Sequence, residues 1–63
     1  MAWTKRRFPP SMKNLSKRVR DKAIEIANAF VNSGASEKKA VAMATALAED
    51  WVEIRRARRY LDN

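Results

Sequence analysis

The chain has 63 residues and a formal charge of +7, from fourteen lysines and arginines against seven aspartates and glutamates, with neither cysteine nor histidine. That length allows one small domain with a modest core. The missing residue types exclude disulfides, thiolate and imidazole nucleophiles, and the ligands that soft or borderline metals prefer, so no enzyme, metal site, cofactor or small-molecule substrate is expected.

Residues 1–15, MAWTKRRFPPSMKNL, carry no helical period, and Pro9 biases Phe8 toward extended backbone. They read as a basic, aromatic arm. Pro10 suits a first helical position and predicts a single turn ending near Asn14. Trp3, Phe8, Met12 and Leu15 give the arm enough apolar surface to fold back on whatever follows. The basic start lacks the apolar run of a signal peptide, and the longest apolar stretch falls far short of the ~20 residues that span a bilayer. The expectation is a soluble, cytoplasmic protein.

Residues 16–63 read as a helical hairpin. Ser16 is a candidate cap for a first helix, predicted over about Ser16 to Ser33, in which Val19, Ala23, Ile26 and Phe30 recur at steps of four, three and four. Ile24, Ala27 and Val31 widen that stripe. Gly34, the chain's one glycine, can take the left-handed conformation that ends a helix, and Ser36 can cap the next. The second helix is predicted over about Ser36 to Tyr60, with Ala40, Ala44, Leu47, Trp51 and Ile54 as its inward seam. Its many alanines permit a tight hairpin. It outruns the first helix by roughly seven residues, or about 10 Å. Arg58 falls where the seam would continue, so contact with the first helix should have ended by then. The overhang then packs against the arm, meets a second chain, or stands free.

The charge is concentrated at the two ends: residues 1–22 sum to +7, residues 23–54 to −3 and residues 55–63 to +3. Basic ends of this kind attract polyanions. The candidate binding residues are Lys5, Arg6 and Arg7, flanked by Trp3 and Phe8, and Arg55, Arg56, Arg58 and Arg59, followed by Tyr60. Guanidinium forks pair with phosphate, and aromatic rings such as Trp3 and Tyr60 stack on bases. The same letters also describe a solvated helix end, where arginines favour the helix dipole. Trp51, at seam spacing, is expected in the core; Trp3 is open between core and stacking.

Other chemistries fit less well. In a helix-turn-helix that reads DNA, Phe30 would stand where a small residue lets the helices cross, and Ala40, Val41 and Met43 would replace polar base readers. Glu49, Asp50 and Glu53 lie on one or two helical turns and offer too few oxygens to cage a hard cation. Ser11, Ser16, Ser33 and Ser36 have no base to activate them and suit turns and caps. A basic helix end lying on an acidic membrane would need an apolar face that Arg58 interrupts.

The start Met1-Ala2-Trp3-Thr4, the proline with Ser11-Met12-Lys13-Asn14-Leu15, the run from Val19 to Ala29 (VRDKAIEIANA), Gly34, Glu37 and the alanine-rich approach to Trp51 together resemble a group of short uncharacterised bacterial proteins. That group is similar in layout to the ChaB-like proteins, described as cation transport regulators, which share a proline-bearing lead-in, two helices and a late tryptophan. The resemblance implies a helical fold and a bacterial or phage origin, and it brings no catalytic residue. The chain departs from the group's pattern at Lys5-Arg6-Arg7 and in its arginine-rich end.

The expectation is therefore an all-α hairpin with an N-terminal arm. As a function it predicts a non-enzymatic module that binds nucleic acid through its basic ends. The alternative is a protein interaction or regulatory module whose apolar seam takes a partner chain or a second copy in a dimer.

Overall fold

In the computed structural model the backbone is described for residues 2–62 and the side chains for residues 2–58. Two helices dominate: α1, Lys17–Asn32, and α2, Glu37–Asp62, packed against each other as a hairpin with no strand among the described residues. Each starts on the serine that the sequence offers. The Ser16 hydroxyl accepts from the Val19 amide at 3.4 Å, and the Ser36 hydroxyl from the Lys39 amide at 3.3 Å, so each satisfies a backbone donor that the first turn leaves free.

The end of α1 is a complete Schellman motif. Ala35 donates to the Phe30 carbonyl and Gly34 to the Val31 carbonyl, both at 3.0 Å, with Gly34 at φ 102°. An added Cβ at Gly34 would meet no atom within 4 Å, so only backbone strain opposes a side chain there. Gly34→Ala is expected to cost about 1–2 kcal/mol, read as a lower urea midpoint with an unchanged slope.

The helices meet along rows of four. On α2 the fully buried residues are Ala40, Ala44 and Ala48, continued by Val52. On α1 the matching row is Val19, Ala23, Ala27 and Val31, its two alanines fully buried. Rows at i±4 on both helices are the ridges of the commonest class of helix packing, and alanine along both lets the backbones come close.

This corrects the predicted seam. A step of four residues advances about 40° around a helix, so a buried row of fours drifts across the surface of α2 rather than running along it. Ala40 and Ala44 are shared with the expected seam. Past them the buried row turns to Ala48 and Val52, leaving Leu47 46% and Ile54 63% exposed, together with Met43 at 48%. Trp51 is half-buried rather than central.

The arm folds back, as its apolar residues predict. A single 3₁₀ turn, Pro10–Met12, has Pro at its start and carries Met12 into the centre of the molecule. Met12 is the largest fully buried side chain and sits among Ala23, Ile24, Ala27, Ala44 and Ala48. Trp3, Phe8 and Leu15 pack around that cluster. Two alanine-lined helices bury little apolar area by themselves, and the arm supplies the bulk that completes the core.

A second row on α1, Arg20, Ile24 and Asn28, holds the arm. The Arg20 guanidinium lies 4.7 Å from the centre of the Phe8 ring. Asn28, only 6% exposed, accepts from the amides of Ala2 at 3.1 Å and Trp3 at 2.9 Å and donates to the Trp3 carbonyl at 2.9 Å. Its side-chain amide thus pairs with Trp3 as a strand neighbour would.

α2 has 26 residues to the 16 of α1, an excess of ten, so it is longer by about 15 Å, most of it past the start of α1. No helix among the described residues is long and apolar enough to cross a membrane.

Candidate functional site

The docked arm, residues 17–28 of α1 and Trp51 of α2 border an open groove of about 1050 Å³, with Trp3 on the arm side and Trp51 on the α2 side. Lys5, Lys17, Arg18 and Lys22 line it, together with Asp21 and Glu25. Arg18 and Lys22 are four apart on α1 and so share one flank, beside the Ile24–Asn28 row that holds the arm.

Trp51 is the centre of the charge. The Lys22 ammonium lies 4.6 Å and the Arg55 guanidinium 4.9 Å from the centre of its ring. Arg18, Val52 and Arg55 frame a smaller pocket with it. One indole is therefore in contact with a basic residue of the C-terminal cluster and one of α1, with Arg18 lining the adjoining pocket. Lys22 is also within 3.6 Å of the Glu25 carboxylate, a contact between partly exposed groups that holds it loosely.

The predicted site residues are only partly brought together. Lys5 lines the groove and Arg55 stands on Trp51. Arg6 and Arg7 are exposed on a tight turn closed by paired backbone bonds between Thr4 and Arg7, at 2.8 and 3.2 Å, with the Thr4 hydroxyl accepting from both arginine amides. Arg56 and Arg58 are exposed on the overhang. The side chains of Arg59 and Tyr60 lie outside the described residues. Trp3 is half-buried and lines this groove and a second one beside Pro9, Pro10 and Val41.

Sequence reasoning missed Lys17, Arg18 and Lys22 as site residues, and it placed Trp51 in the core. The signal for the first was present in the i, i+4 spacing of Arg18 and Lys22. For Trp51 there was none, since its exposure depends on how the buried row drifts. Glu49, Asp50 and Glu53 are all exposed, and no cluster of metal-ligating residues occurs among the described residues.

No protein-family model matches the chain, and no solved structure matches it significantly. Among curated proteins it is similar to the uncharacterised protein YdaT of Bacillus subtilis (strain 168), with 47% identity over 53 residues. That alignment takes in 84% of this chain and 35% of the relative, so the chain spans about a third of the length of the curated protein it matches. The likeness is to an uncharacterised bacterial protein, as the resemblance in the sequence implies; no matching family model carries the ChaB-like layout further.

Proposed function

We propose that this chain is a non-enzymatic module that binds nucleic acid through a basic surface centred on Trp51. The observation that carries the reading is the placement of Lys22 and Arg55 over one half-buried indole, beside Arg18 and in a groove that Lys5 and Lys17 also line. Cations set around an aromatic ring supply the two things a nucleic acid strand offers to meet, phosphate charge and a base face. Arg6, Arg7, Arg56 and Arg58 extend the positive surface on either side and contribute long-range attraction. The ChaB-like layout adds no residue to this reading.

The test is a polarisation titration of a labelled mixed-sequence oligonucleotide across a salt series. Affinity is expected to fall at least tenfold between about 50 and 200 mM salt, and the logarithmic salt slope to drop by about two to three when Arg18, Lys22 and Arg55 become alanine. Absence of binding at low salt would sink the reading.

A second reading rests on the exposed Met43, Leu47 and Ile54, which share one face of α2 at helical spacing. Such a stripe fits a protein interaction or regulatory module acting on a partner chain or a second copy. High salt separates the readings, because an apolar contact holds or tightens where a phosphate contact is lost.

A further inference from the structure

We infer that the strand bound in this groove is single, with a nucleobase stacked on Trp51 in place of the Lys22 ammonium, which turns to the adjoining phosphate. The inference rests on the nucleic-acid reading above and names the ligand form and the stacking residue within it.

Three observations lead there. The Trp51 ring is half-buried in a groove walled by the arm, and the part of a nucleic acid that stacks on an aromatic ring is a base face. A duplex presents only base edges in its grooves, its faces being stacked on one another. An unpaired base has its face free.

Next, the ring is occupied in the free protein, and by a group that leaves easily. Lys22 and Arg55 lie 4.6 and 4.9 Å from its centre. Lys22 has the Glu25 carboxylate at 3.6 Å as another partner, one turn along the same helix. A cation over an aromatic ring is worth roughly two- to fivefold in an equilibrium where it is exposed and up to roughly thirtyfold where it is desolvated, and the Lys22 side chain, 25% exposed, lies between the two. A base stacked on an aromatic side chain is worth roughly five- to a hundredfold. Exchange of the ammonium for a base is therefore favourable, and it frees a positive charge beside the strand.

Finally, the groove is not uniformly basic. Asp21 and Glu25 line it among Lys5, Lys17, Arg18 and Lys22. Bare polyphosphate would meet those carboxylates for no return, whereas a strand can set its phosphates against the lysines and Arg18 and its base against the indole.

The experiment uses the full chain carrying Trp3→Phe, which leaves Trp51 as the only tryptophan, titrated with a twelve-nucleotide oligothymidylate and with a twelve-base-pair duplex at one salt concentration. Quenching of Trp51 emission by the single strand is expected. Adding Trp51→Ala should then weaken single-strand binding about tenfold, measured by polarisation, and change duplex binding less than twofold. If that variant loses its helical circular dichroism, Trp51→Phe decides instead, with single-strand binding expected two- to fivefold weaker and duplex binding unchanged. Single-strand binding without quenching, or equal losses for both ligands, overturns the stacking assignment and leaves the wider reading standing. Failure of both ligands to bind the parent chain, with Trp3 in place, at low salt removes the wider reading and this one with it.

Discussion

Met12→Ala is expected to lower stability by about 2–4 kcal/mol, because Met12 is fully buried and its truncation leaves a cavity among Ala23, Ile24, Ala27, Ala44 and Ala48, the alanines having no longer side chains with which to fill it. For a domain this small that corresponds to a fall in melting temperature of roughly 10–25 °C. The control is chemically identical. Met43→Ala removes the same atoms from a side chain 48% exposed and should cost less than about 0.5 kcal/mol. Thermal unfolding followed by circular dichroism measures both. Equal effects would mean that the arm does not seat Met12 in the core.

Asn28→Leu should cost about 2–3 kcal/mol, since it keeps the size of the side chain but orphans the Ala2 and Trp3 amides and the Trp3 carbonyl. The expected sign of that release is faster tryptic cleavage after Lys5, Arg6 and Arg7 than in the parent chain. Asn28→Asp separates the parts of the interaction. It retains the acceptors but replaces the donor to the Trp3 carbonyl with an oxygen, so it too should loosen the arm. Combining Asn28→Leu with Met12→Ala is expected to cost less than the sum of the two, because both changes act on one event, the docking of residues 2–15 on the hairpin. Additive losses would show that the two anchors hold separate pieces.

The arm matters for function as well as stability. It forms one wall of the Trp51 groove through Trp3 and Lys5. Under the proposed reading, therefore, Asn28→Leu should also weaken oligonucleotide binding, although Asn28, itself a lining residue of the groove, is only 6% exposed.

Every element set by local chemistry can be read along the chain. Ser16 and Ser36 start the helices with their own hydroxyls, Gly34 ends α1 because a positive φ costs it little, and Pro10 opens a turn at the place where its fixed φ fits. The apolar residues of the arm, Trp3, Phe8, Met12 and Leu15, were legible as surface that must be covered, and they are in the core or packed on it. Alanine enrichment in α2 was legible as close packing.

Which face of α2 is buried depends on how the two helices pack. Steps of three and four pointed to Leu47, Trp51 and Ile54, but the helices interdigitate along rows of four, and such a row drifts around the helix to Ala48 and Val52. One angular choice explains both the exposed Met43, Leu47 and Ile54 and the position of Trp51 at the surface, within reach of Lys22. The role of Asn28 was hidden for a similar reason. A polar residue inside an apolar run reads as helix surface until a second segment brings it backbone groups to bind, and here that segment lies 25 residues away in sequence. Hydrophobic period and capping chemistry are local and can be read along the chain; the angle at which two helices meet, and the partner of a buried amide, belong to contacts between segments far apart in it.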